Sequence, residues 1–193
     1  MADKINISNC FHSIPSNETQ CISIILQICN QLKEIHQSGL IHLDIRPENI
    51  EISSEDGKAS LLSPRGLFPS DKLISPSHFL YWGDSYYAPE LKKSILNEQP
   101  FTPDASSDIY SLMLTVYFLI TRQIAPYNFQ FHTKWRFILR QSTAQWSRQP
   151  QDAIESLFRI GTRLNPLQRP QNAADFMQTD HFIALKNAME AFL

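Results

Sequence analysis

The 193-residue chain is 42% hydrophobic and 11% aromatic, enough to bury a sizeable core as one domain over residues 1–193. A formal charge of −2 supplies no basic field for nucleic acid or an anionic membrane surface. The cysteines, Cys10, Cys21 and Cys29, are odd in number and lack metal-ligand spacing, so they suit small buried residues in a reducing compartment.

Met1 to Ser8 is polar and carries no apolar run of the kind that opens a secretory signal, so a cytoplasmic protein is expected. Ile5, Ile7 and Phe11 suggest a strand or short helix leading to Pro15. Ser16 or Asn17 then caps a long helix, with Thr19 or Gln20 as a partial capping box. Ile22, Ile25, Leu26, Cys29, Leu32, Ile35 and His36 recur at helical spacing down to Gly39, a left-handed terminator. Leu40 to Asn49 is too polar and too proline-broken for either regular element. Ile50–Ser53 and Lys58–Leu62 form a short hairpin turned through Glu55, Asp56 and Gly57.

Ser63 to Tyr87 is broken by Pro64, Pro69 and Pro76, and loops of that length inside a compact domain usually serve a function. Pro89 opens a short helix over Glu90–Asn97. Asp104 to Thr121 follows, apolar on every side from Ile109 to Ile120, and it reads as a helix buried all round, the post of the domain. It falls short of the roughly 20 apolar residues that a membrane span needs. Asp104, Ser106, Ser107 and Asp108 can cap its first amides, and Asp108 then enters the buried part, where a carboxylate needs partners from a loop elsewhere. Arg122 to Thr133 is a connection, and helices are expected over Lys134–Ser142, Gln151–Leu164 and Gln171–Leu193, with breaks at Pro150, Pro166 and Pro170. The fold class is therefore mainly α with a small β-hairpin.

Four sequence motifs now carry a resemblance. His42-Leu43-Asp44-Ile45-Arg46-Pro47-Glu48-Asn49 looks like the catalytic loop of protein kinases, H-R-D-L-K-P-E-N, with Leu for the first Arg and Arg for the Lys. Ala88-Pro89-Glu90 is similar to the A-P-E that closes the activation segment. Ser107 to Leu112 resembles the start of helix F, and Asn165-Pro166 with Arg169-Pro170 resembles D-P-x-x-R-P. The resemblance implies a kinase carboxyl-terminal lobe. It further implies that Asp108 accepts hydrogen bonds from the backbone of the loop around His42, and that Glu90 pairs with Arg169.

Phosphoryl transfer runs on positioning and electrostatics: a Gly-rich loop, a Lys–Glu pair, metal ligands and a base. Ahead of the long helix the sequence offers Met1 to Pro15, without a glycine, so the resemblance implies an architecture lacking the amino-terminal lobe. The D-F-G triplet should fall near Ser63-Pro64-Arg65, where no acid can chelate magnesium. Glu51 stands where kinases place an apolar side chain under adenine. Each polar residue thus has two readings. Asp44 is either the catalytic base or a loop carboxylate that binds backbone amides, and without a metal ligand beside it the second is expected. Asn49 alone is a poor site for a hard cation. His42 reads as a satisfied core histidine, and Arg46 either touches a phosphate or pairs with an acid on the surface.

The expectation at this level is a pseudokinase rather than an enzyme, a non-catalytic lobe that acts as an adaptor, like the family called the kinase non-catalytic C-lobe domain. No cofactor, metal, ATP or nucleic acid is expected, and a protein partner is. Candidate contacts are Phe79, Tyr81 and Trp82 before A-P-E, Phe129 and Phe131 after the post, and an uncapped face around Glu51, Ile52 and Leu62. The alternatives are half of a split kinase, with Asp44 and Asn49 acting once a partner chain completes it, and a decoy that imitates a kinase lobe. Low Gly with abundant Ile, Asn, Gln and Ser would suit an effector delivered into a host cell.

Overall fold

A computed structural model describes residues 4–6, 17–79, 84–126 and 134–191. Its centre is helix α3, Ala105–Thr121, buried continuously from Ser106 to Leu119. The Asp104 carboxylate opens the helix by accepting from Ser106 N–H at 2.7 Å. Ser111, Thr115 and Thr121 turn their hydroxyls onto the carbonyls four residues back, so the polar interruptions of the apolar run are satisfied within the helix.

Around this post stand α1 (Glu18–Gln37), α4 (Trp135–Ser142), α5 (Arg148–Gly161), α6 (Ala173–Met177) and α7 (Asp180–Glu190). Helix α1 begins where its sequence says, the Asn17 side chain accepting from Gln20 N–H at 2.8 Å, and it ends at Ser38 before Gly39 at φ +75°. The larger differences from the expected helix boundaries lie in the last third of the chain, where α5 also ends at Gly161 rather than Leu164. Helix α5 starts at Arg148, with Pro150 inside its first turn, because the first amides of a helix have no intrahelical acceptor and a proline there costs no bond. The stretch Gln171–Leu193 is two helices rather than one: Thr179 breaks it and caps α7 by accepting from Phe182 N–H.

The strands lie on one side of α1. Hairpin β3 (Ile50–Ser53) and β4 (Ala59–Leu61) is antiparallel, and β1 (Lys4–Asn6) adds to the other side of β3 with Ile5 opposite Ile52. The outer edge of β4 is met by side chains. Gln27 accepts from Ala59 N–H at 2.9 Å, while Gln31 accepts from Leu61 N–H and donates to Ala59 C=O, both at 2.9 Å. Two glutamines on a helix thus do the work of a neighbouring strand. A second small ladder joins β2 (Leu40–Ile41) to β5 (Phe68–Pro69), and α2 (Pro89–Leu96) completes the described elements. The strand at Leu40–Ile41 was not legible locally, since two residues show no period.

Among the described residues no helix is long and apolar enough to cross a membrane. Cys21 and Cys29 are buried free thiols, and burial pushes the Cys21 pKa up to about 11 and that of Cys29 higher still. Both are expected to resist iodoacetamide at neutral pH in the native protein and to react on unfolding, as read by mass spectrometry with and without guanidinium. A second expectation concerns Gly161, where an added Cβ would stand 2.5 Å from Met113 Cγ in the core. Gly161→Ala should lower the free energy of unfolding by about 1–2 kcal/mol in chemical denaturation, overpacking outweighing the helix-propensity gain.

Candidate active site

The site is built on one carboxylate. Asp108, in the first turn of α3 and fully buried, accepts from His42 N–H at 2.8 Å and from Leu43 N–H at 2.7 Å. His36 of α1 supplies a further donor: its Nδ1 accepts from Ala173 N–H at 3.0 Å, so Nε2 carries the proton that meets Asp108 at 3.0 Å. Sequence reasoning placed His36 on the apolar stripe of α1 and missed this pairing. The signal available was a histidine one turn before the terminating glycine.

Gripping two successive amides forces the loop into a bend. Leu43 has φ +56°, a left-handed conformation that a branched residue adopts only where its surroundings hold it there, at a cost of order 1–3 kcal/mol. Its side chain is buried in a small cluster with Ile41, Ile74, Phe79, Tyr87 and Leu91, which fixes the bend from the other side. His42 Nδ1 accepts from Asp44 N–H at 3.2 Å and its Nε2 donates to Leu62 C=O at 3.0 Å, tying the loop to the end of the hairpin. Asn49 donates to Asp44 C=O at 2.7 Å, and Thr115 of α3 donates to Ile45 C=O at 3.2 Å.

All of these bonds fix backbone. The Asp44 side chain is different: only 3% exposed, it binds no backbone amide, contrary to the sequence expectation, and neither oxygen has a hydrogen-bond partner. Instead Arg46 Nε lies 3.3 Å from Oδ1 and Arg65 Nε lies 3.3 Å from Oδ2. Arg46 is thus a largely buried partner of the loop's own acid, with Glu48 at 3.9 Å, rather than a surface residue. Arg65 comes from the tight turn Ser63–Gly66, closed by Gly66 N–H on Ser63 C=O at 2.9 Å. Its guanidinium also donates to the Tyr87 hydroxyl at 2.9 Å and lies 5.8 Å from the Phe79 ring centre. Burial raises the pKa of the Tyr87 phenol, the hydrogen bond from Arg65 opposing it, so the hydroxyl stays protonated at neutral pH.

The second anchor is Glu90 with Arg169. The guanidinium is buried and bidentate, at 2.7 and 2.8 Å, and it donates further to Arg163 C=O and Leu164 C=O. Ser107 Oγ donates to Glu90 at 2.7 Å and joins this pair to the start of α3. Arg169 lies 4.9 Å above the Tyr110 ring, and burial pushes the Tyr110 pKa up to about 12.

Two candidate contact surfaces change. Phe79 is 1% exposed and packs among Phe68, Tyr87 and Phe101, so it is core rather than a partner anchor. At the candidate surface around Glu51, Ile52 and Leu62, β1 pairs along Glu51–Ser53 and occupies the edge of β3. Tyr81, Trp82, Phe129 and Phe131 lie outside the described residues.

A magnesium ion does not fit the residues present. Ser63, Pro64 and Arg65 offer no carboxylate, a guanidinium stands against Asp44, and Asn49 can offer one neutral oxygen to a cation that takes about six. Among the described residues no group of three or more His, Cys, Asp or Glu could hold a metal.

A helical lobe with a backbone-gripping aspartate, a bent loop holding a buried acid and a closing Glu–Arg pair defines the carboxyl-terminal half of a kinase fold. The family model "Protein kinase domain" matches residues 3–182, and the chain belongs to that family. It is 35% identical over 114 residues to the proto-oncogene serine/threonine-protein kinase mos of Sus scrofa, covering 58% of this chain and 30% of that protein. It is 30% identical over 168 residues to serine/threonine-protein kinase C of Synechocystis, covering 84% of this chain and 30% of that protein. Among solved structures, the kinase domain of a Toxoplasma gondii rhoptry antigen superposes with a TM-score of 0.70 at 19% identity, over 96% of this chain and 50% of that one. The chain therefore spans under a third of these two curated relatives and half of that structure.

These relatives overturn the expectation that the chain is no enzyme, since they are named serine/threonine kinases. That expectation rested on parts absent from the sequence, and a chain that spans a fraction of its relatives is not expected to hold every part.

Asp108→Ala should destabilise the fold by about 2–4 kcal/mol in urea denaturation, because it strands His42 and Leu43 amides in the interior. Asp108→Asn, keeping one acceptor oxygen, should cost less, and equal losses would place the buried network elsewhere. Arg169→Lys should cost about 1–3 kcal/mol, since an ammonium cannot make the two parallel bonds to Glu90.

Proposed function

We propose that this chain is the catalytic-loop lobe of a serine/threonine protein kinase. It passes phosphoryl groups to a protein hydroxyl when a nucleotide-covering lobe, from further sequence of the same protein or from a partner chain, closes over it. The observation that carries this reading is Asp44: a buried carboxylate on a rigid loop, both oxygens without a hydrogen-bond donor, where a substrate hydroxyl would supply one.

In this reading Asp44 accepts the hydrogen bond of the incoming hydroxyl and aims its oxygen at the phosphorus. Asp108, His42 and Asn49 hold Asp44 in place, and the Glu90–Arg169 pair fixes the segment that lines the protein substrate. Recruitment of a protein partner is part of the same reading. Leu73 and Leu96, on the segments before and after Ala88-Pro89-Glu90, are exposed apolar side chains that a partner would cover.

The test is transfer of labelled γ-phosphate to serine or threonine of casein by the complex isolated on a tagged chain from its own cells. Asp44→Asn keeps the shape of the side chain and should lower the rate by about 10²- to 10⁴-fold. Transfer that is undiminished in Asp44→Asn, or a complex that transfers nothing, overturns the reading.

A further inference from the structure

His36 stands where three helices meet, and both of its ring nitrogens are committed. Nε2 donates to Oδ2 of Asp108 in α3, and Nδ1 accepts from the Ala173 N–H that opens α6, each at 3.0 Å. Ala173 is fully buried, and its amide, at the first position of a helix, has no intrahelical acceptor. The imidazole supplies one. It can do so only while neutral, because both nitrogens of an imidazolium are donors. A second proton on the ring therefore keeps one contact and breaks the other: the Asp108 carboxylate favours the charged ring, whereas the Ala173 N–H would face another N–H.

The side chain is 4% exposed, yet it lines a cavity of about 520 Å³ with Lys33 and Gln37 of α1, Asp104 at the start of α3 and Asp175 of α6. Gln37 and Asp104 are exposed, so water has access to this cavity. Lys33 opposes a positive charge on the ring, and Asp104 and Asp175 support it. His42, whose amide also donates to Oδ2 of Asp108, is fully buried, and Arg169, which donates to Ser106 C=O, is paired with Glu90. Helix α6 has five residues, too few to hold itself, and its start is fixed by the His36 contact and by the Asn172 side chain, which accepts from Asp175 N–H at 2.9 Å.

We propose that His36 is a proton-operated clasp. Neutral, it ties α6 to α3; charged, it stays on Asp108 and releases Ala173, so that α6 loosens while the loop around Asp44 remains fastened. The inference concerns the frame behind that loop and is independent of phosphoryl transfer.

Two measurements test it on the purified chain between about pH 8 and 5.5, above the range in which ordinary carboxylates titrate. Ring-nitrogen NMR shifts read the state of His36, and hydrogen exchange corrected for intrinsic rate reads the amides of α6 and α3. The ring is expected to pass from the Nε2–H tautomer to the imidazolium. Over the same interval, protection across Ala173–Met177 should fall about tenfold, the loss of one hydrogen bond from a buried donor. Protection of α3 should not change. His36→Gln is the control: its amide oxygen and nitrogen can take the places of Nδ1 and Nε2 without titrating, so protection of α6 should no longer depend on pH. A ring that stays neutral to the acid limit, α6 protection that does not follow the ring, equal loss in α3, or an unchanged pH response in His36→Gln overturns the proposal. If His36→Gln fails to fold, coincidence of ring titration and α6 exchange in the wild type decides.

Discussion

One buried carboxylate decides the shape of this lobe. Asp108 accepts from two consecutive backbone amides of a distant loop and from an imidazole of another helix. A bare carboxylate in the interior would be prohibitively costly, and three donors make it a fastener instead. It joins α1, α3 and the loop after β2 at a single point, and Leu43 can hold its left-handed backbone because two of those donors are locked. The hydroxyl of Thr115, two turns further along α3, adds a second stitch to the same loop at Ile45.

The loop around Asp44 is thereby held from behind through its backbone, while the Asp44 side chain meets only charges in front. Backbone groups of His42, Leu43, Asp44 and Ile45 all have partners from His42, Asp108, Asn49 and Thr115. The Asp44 carboxylate instead meets two arginine side chains, with contacts that are ionic rather than hydrogen-bonded.

Much of the frame could be read from residues alone. Asn17 and Asp104 act as caps, Gly39 and Gly57 turn where turns were expected, and the apolar run of α3 lies inside on all faces. What escaped was non-local. The imidazole of His36 and the amides of Gln27 and Gln31 look like ordinary polar members of a helix surface until the loop and the strand they serve are placed beside them. Phe79 looked like a loop aromatic available to a partner, because nothing nearby in sequence announces that Phe68, Tyr87 and Phe101 surround it. The role of Asp44 was harder still. Its surroundings depend on Arg65, 21 positions along the chain, and the reading of absent parts as absent activity gave way to kinship with working enzymes.

The pairing of β1 with β3 has a geometric consequence. The strands run in opposite senses, so Asn6 stands opposite Glu51, two positions past Asn49, while Lys4 stands opposite Ser53 at the hairpin tip. Lys4 and the hairpin tip therefore stand together at the end of β3 away from Asn49. Strand β1 thus braces β3 along its length, and β3 adjoins Asn49, whose amide holds the loop that carries Asp44. The outer side of β4 is closed by glutamines instead.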